Sequence, residues 1–170
     1  MSAMDSRENE SLPLFAEDSQ NEKSKKAAPA SSPVQWITAN VDGGARGNPG
    51  HAGYGVCIRD AQGHIIAELS EYLGHKTNNY AEYSALIAAL EYALSHGHRA
   101  LRAISDSELM VRQMKGVYEV NSPELRPLYE KARTLTRKLE RFAIEHVLRA
   151  KNRDADRLAN AAMDRGMGKM

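Results

Sequence analysis

Three stretches in which apolar side chains alternate with more polar ones follow one another early in this chain, with no helical pattern between them. Trp36 to Asp42, Tyr54 to Arg59 and His64 to Glu71 each read as a half-buried strand, and the turn DAQG joins the second to the third. Strands linked this way pair antiparallel, because a parallel return needs a longer crossover, commonly a helix. The period then changes. Thr77 is placed to cap a helix in which Ala85, Ala89 and Ala93 recur at packing distance, and the apolar run ALRAIS reads as a fourth strand. Two further helical patterns, a strand from Phe142 to Leu148 and a last helix complete the order. The second of those helices, about Glu124 to Leu139, carries Leu125, Leu128, Leu135 and Leu139 on one stripe, which marks core. The order implies an α/β fold: a mixed five-stranded sheet, three antiparallel strands first, with helices on both faces.

Residues 1–33 are rich in Ser, Ala, Pro, Lys and Glu and read as a disordered low-complexity tail. Residues 34–166 then form one domain, and 167–170 a short C-terminal tail. A net charge of +1 for 170 residues does not announce a nucleic-acid protein, but the total hides a division. The tail holds six acids and four bases, leaving 16 acids and 19 bases in the remainder, so the domain is mildly cationic. One cysteine, Cys57, excludes an internal disulfide, and its strand context GYGVCIRD suggests a buried thiol. Six histidines show no zinc-like spacing. With no secretory signal and no membrane-length apolar run, a cytoplasmic location is expected, and nothing demands more than a monomer.

Four acids stand where a strand ends or a helix begins: Asp42 in VDGGARGNPG, Glu82 in TNNYAEY, Asp106 in ISDSE and Asp156 in RDADRLAN. Singly, each reads as well as a turn or cap residue. Their contexts argue for more. Asp42 closes a strand and is followed by Gly43, Gly44, Gly47 and Gly50, a loop that can turn sharply and bring backbone N–H groups close to a ligand. Asp106 follows ALRAIS at a strand's carboxyl end, where α/β sheets place ligands. Asn78 and Asn79 precede Glu82 by one helical turn and can share its face. Acids gathered by folding repel one another and need a divalent counter-charge, and hard oxygen ligands favour Mg2+ or Mn2+.

The strings DGGARGNPG, TNNYAEY, SDSELMVRQMKG and KNRDADRLAN, in this order, resemble the motif series of ribonuclease H type 1. The resemblance spans about residues 35 to 163. It implies an endoribonuclease that cuts the RNA strand of RNA–DNA hybrids with two Mg2+ ions, Mn2+ being a possible substitute, and leaves 3′-hydroxyl and 5′-phosphate ends. Carried over, Asp42, Glu82, Asp106 and Asp156 become the catalytic metal ligands, with Asp42 bridging both ions and Asp156 holding the second. Main-chain groups of Gly43 and Gly44, with Arg46 and Asn48, would read the minor groove, where RNA displays its 2′-hydroxyls. Thr77 and Asn79 would touch the DNA strand, with Asn78 and Ser107 nearby, although Thr and Asn also cap helices.

The chain departs from the better-known members of that family in three respects. The segment IEHVLRAKNRDAD is too short for a mobile histidine loop; His146 falls in a strand, which leaves Arg149 to contact the scissile phosphate or the departing product. No basic protrusion follows MKG, although residues 112–153 hold eleven Lys or Arg against five Glu, which is either a hybrid-binding stripe or a solvated face. Glu108 stands beside Asp106 where a neutral amide is frequent. Two alternatives remain at this stage: another two-metal nuclease of the same superfamily, and a non-catalytic hybrid-binding protein, against which all four acids argue. Leu12, Leu14 and Phe15 in SLPLF resemble the peptide by which bacterial replication proteins bind the sliding clamp, with Ser11 in place of the usual Gln. An incidental apolar patch is the competing reading of so short a string.

Overall fold

The computed structural model describes residues 33–169, and Leu12, Leu14 and Phe15 lie outside them. Five strands run β1 (Trp36–Arg46), β2 (Gly50–Arg59), β3 (Ile65–Lys76), β4 (Ala100–Ser105) and β5 (Arg141–His146). Four helices, α1 (Asn78–Ser95), α2 (Glu108–Met114), α3 (Arg126–Arg137) and α4 (Arg153–Gly166), are joined by a short 3₁₀ turn at Arg149–Lys151 before α4. Sheet order is β3-β2-β1-β4-β5. The first three strands are antiparallel, whereas β4 and β5 run parallel to β1, as the pattern order requires.

Alternation decides the two faces. Ile37, Ala39 and Val41 of β1 and Val56 and Ile58 of β2 join α1 residues such as Tyr83, Leu86 and Leu90 in one core. The alternate β2 residues Gly53 and Gly55 lie against α4 on the opposite face. Helix α1 begins where Thr77 Oγ1 accepts the N–H of Tyr80 at 3.1 Å, and its alanine-rich side lets it pack closely on the sheet. A buried hydrogen bond from Tyr83 Oη to Gln113 Oε1 at 2.7 Å ties α1 to α2.

The glycine-rich segment is not the loop its composition suggested. Strands β1 and β2 stay paired out to Arg46↔His51, which extends both beyond the expected bounds and leaves only Gly47, Asn48 and Pro49 to turn. Gly47 alone among them needs glycine's freedom, at φ +86°. Elsewhere glycine answers to crowding: a Cβ on Gly43 would lie 2.3 Å from the carbonyl carbon of Ala81. Likewise, β3 runs five residues past Glu71 along β2 to Lys76. Helix α3 is shorter than its leucine stripe, because residues on either side of it form single turns, with Leu125 N–H on Ser122 O and Leu139 N–H on Thr136 O.

Candidate active site

Parallel pairing puts the first two acids side by side. Val41 and Ser105 are register partners in β1 and β4, so the next residues, Asp42 and Asp106, emerge together at the strands' carboxyl ends. Glu82 comes down on them from the second turn of α1, which can approach only because Gly43 has no side chain. One carboxylate oxygen from each of Asp42, Glu82 and Asp106 lies within 4.8 Å of the others. Asp156, in the first turn of α4, reaches Asp42 from the opposite face, and the two carboxyl groups share a hydrogen bond. The four acids line one cleft of about 480 Å³ together with Arg46, Asn78 and Arg149.

The electrostatics follow from crowding. Asp42 is 6% exposed; burial first, then the charges of Asp106 and Asp156, push its carboxyl up to about 8, against the single Gly43 N–H at 3.0 Å that favours ionisation. Burial first, then the charges of Asp42 and Asp106, hold Glu82 well above the usual carboxylate range, although Glu82 also accepts from Gly43 N–H at 3.2 Å and feels Arg149. Acids that resist ionisation for want of counter-charge, presenting only hard oxygen donors, suit a hard divalent cation and not a soft metal. Among the described residues, Asp42, Glu82 and Asp106 place their oxygens close enough together to hold one, and Asp156 adjoins them through Asp42.

The residues expected to touch nucleic acid are more dispersed. The N–H of Gly43 is committed to two carboxylates, and Ala45 N–H donates to Asn78 Oδ1 at 2.7 Å, so Asn78 braces the β1 backbone inside the cleft. Gly44 lines the cleft. Arg46 is held by Asp164 Oδ1 at 2.5 Å and Asn160 Oδ1 at 2.8 Å on α4. Asn48, at the exposed hairpin tip, accepts the N–H of Asn78 at 3.0 Å. Thr77 and Ser107 spend their hydroxyls capping α1 and α2, and Asn79 is exposed outside the cleft lining. Arg149, 78% exposed, reaches Asp156 Oδ1 at 3.2 Å, whereas His146 ends β5 on the surface. Much of the basic stripe is neutralised locally: Arg112 pairs with Glu108, Arg126 with Glu130 and Lys131 with Glu91.

Sequence reasoning missed Asn160 and Met163 in the lining, although they follow Asp156 by four and seven residues and share its helical face. It also missed Asn152, which no local pattern singles out.

Comparison with known proteins agrees with this geometry. Residues 40–162 match the family described as Reverse transcriptase-like. A bifunctional protein of Mycobacterium tuberculosis is 44% identical over 129 residues, covering 75% of this chain and 35% of that protein. The solved N-terminal RNase H domain from the same organism superposes with TM-score 0.77 at 42% identity, over 79% of this chain and 98% of that one. Ribonuclease HI of Halobacterium salinarum is 43% identical over 128 residues, 75% of this chain and 64% of that protein, and the solved RNase H1 from that archaeon gives TM-score 0.74 at 42% identity, over 76% of this chain and 98% of that one. LC11-RNase H1, solved in complex with an RNA/DNA hybrid, gives TM-score 0.73 at 43% identity over 77% of this chain and 99% of its own. The chain spans about a third of the length of the first curated relatives it matches. From the strand that carries Asp42 to the helix that carries Asp156, this chain belongs to the ribonuclease H type 1 family.

Proposed function

We propose that this chain is an endoribonuclease that hydrolyses the RNA strand of RNA–DNA hybrids by two-metal catalysis, leaving 3′-hydroxyl and 5′-phosphate ends. The observation that carries the reading is the convergence of four acids from β1, α1, the β4 end and α4 on one open cleft. The solved hybrid complex of LC11-RNase H1, 43% identical, supports the choice of substrate.

Asp42, Glu82 and Asp106 would hold one cation, and Asp42 with Asp156 would hold the second. Paired Mg2+ ions, or Mn2+ in their place, supply an activated water and neutralise charge at the leaving oxygen. Gly43 N–H orients Asp42 and Glu82 toward the cations, and Asn78 keeps β1 straight beneath the RNA strand. Arg149 exchanges Asp156 for a phosphate oxygen of the substrate or product, a swap its exposure permits. Asn48 and Gly44 face the minor groove from the hairpin, and Thr77, Asn79 and Ser107 border the DNA strand. A sliding clamp as a second partner, through Leu12, Leu14 and Phe15, belongs to the same reading, as do a monomeric state and a cytoplasmic location. Among the described residues no helix is long and apolar enough to cross a membrane.

The test is digestion of an end-labelled hybrid with magnesium, with manganese and with chelator, beside duplex DNA and duplex RNA. Cleavage confined to the RNA strand of the hybrid and abolished by chelator is expected. Intact hybrid with either ion, or equal cutting of duplex DNA, would defeat the reading.

A further inference from the structure

Asp156 reaches the cleft from a helix remote in sequence from the other acids, and one buried amide fixes where that helix begins. Asn152 is 1% exposed. Its Nδ2 donates to the carbonyl oxygen of Val41 at 2.9 Å, and its Oδ1 accepts from Asn40 Nδ2 at 2.9 Å. Its own carbonyl accepts the backbone N–H of Asp156 at 3.1 Å. A single residue thus joins the two positions before Asp42 to the first turn of α4.

The local arrangement favours this link over helix capping. Asn152 occupies the N-cap of α4, a position where Asn normally turns its oxygen onto a helix N–H, yet it makes no such side-chain bond. The amide is spent on β1 instead. Nearby, the helix backbone rests on Gly55, the register partner of Asp42: a Cβ there would lie 2.3 Å from Ala155 O and 2.5 Å from Ala159 N. Gly53 and Gly55 let α4 sit close to the sheet but offer no side chain to interlock with it. Gly55 therefore sets the height of α4 above the strand, and the Asn152 amide sets its position along the strand.

We propose that Asn152 is a positioning residue whose amide holds Asp156 opposite Asp42 and so determines how tightly that pair binds a divalent cation. The proposal rests on the metal-dependent nuclease reading. A purely structural role predicts lost stability alone. A positioning role predicts that the damage is transmitted through Asp156.

A double-mutant cycle separates the two roles in the full chain, with Asn152→Ala and Asn40→Ala made singly and in an Asp156→Asn background. Two readouts are taken: the Mg2+ concentration that half-saturates the rise in melting temperature, and kcat with KM on the hybrid. Asn152→Ala is expected to raise the half-saturating Mg2+ about tenfold and lower kcat about 30- to 100-fold, since misplacement by about 1 Å is that damaging, with KM within about threefold. In the Asp156→Asn background the same substitution changes both by less than about twofold, because the pathway is already cut. Asn40→Ala leaves the Val41 bond in place, so it shifts the Mg2+ dependence the same way by about threefold and decides the matter if Asn152→Ala fails to fold. Equal losses in both backgrounds, or an unchanged Mg2+ dependence in either single variant, overturn the proposal. If the wild-type chain leaves hybrids uncut, the nuclease reading falls, while the Mg2+ titration still decides whether Asn152 acts through Asp156.

Discussion

Asp42→Asn is expected to stabilise the metal-free protein while abolishing cleavage. At pH 7 the unfolded Asp42 carboxyl is ionised, whereas the folded one, pushed up to about 8, keeps its proton. Folding must take up that proton across about three pH units, an opposition of about 4 kcal/mol at about 1.4 kcal/mol per unit. An amide has no proton to take up, and with about half of that opposition discounted because the cleft is open to solvent the gain is roughly 2 kcal/mol, or about 6–10 °C in a domain of this size. The amide is nearly isosteric, and its oxygen can still accept from Gly43 N–H, so little packing is lost. Thermal unfolding followed by circular dichroism in chelator at pH 7 measures the gain. At pH 5 the gap shrinks to about one unit and the advantage to under about 1 kcal/mol. Added Mg2+ reverses the ranking, because only the wild type binds it with the full set of acids. A variant that melts at or below wild type in chelator at pH 7, or by the same margin at pH 5, would refute the account of the cleft as uncompensated charge.

Four further outcomes are expected. Gly43→Ala drives a Cβ to 2.3 Å from the Ala81 carbonyl carbon and pushes α1 outward; stability falls by about 1–3 kcal/mol in urea melts and kcat drops as Glu82 withdraws, whereas Gly63→Ala, facing open space at a positive φ, leaves kcat unchanged. The folded Asp42 value lies above the unfolded one, so metal-free stability falls as pH rises from about 4 to about 8, and calorimetry in buffers of different ionisation heat detects proton release on Mg2+ binding at pH 7. Arg149→Ala, which breaks an exposed pair, changes stability by less than about 1 kcal/mol yet lowers steady-state kcat by about tenfold; an unaltered kcat would remove Arg149 from the reaction. Immobilised sliding clamp retains the full chain and loses the Leu14→Ala, Phe15→Ala double variant, with equal retention of the two counting against the docking peptide.

Most of the architecture was legible along the chain because it is written in periodicity. Alternation in Ile37, Ala39 and Val41 marks a strand with one face in the core, and the alanine spacing after Thr77 marks a closely packed helix. The local frame of each acid was legible too, at the end of a strand or near the start of a helix, although singly each frame suits a turn or cap residue equally well. The glycine-rich segment misled because glycine permits two opposite things, a sharp turn and a close approach, and composition cannot tell them apart. Only the partner across the gap decides: Ala81 over Gly43, Ala155 and Ala159 over Gly55.

By itself, the sequence determined which side chains could carry chemistry and the elements on which they ride, since backbone period and capping are local properties. The distances among those side chains belonged to the tertiary structure alone. Parallel register between β1 and β4 sets Asp42 beside Asp106, a missing Cβ admits Glu82, and a buried amide 111 residues from Val41 in the chain brings in Asp156. Charge repulsion, raised carboxyl groups and affinity for a cation all depend on separations of a few ångströms, which arise only when segments remote in the chain are packed together.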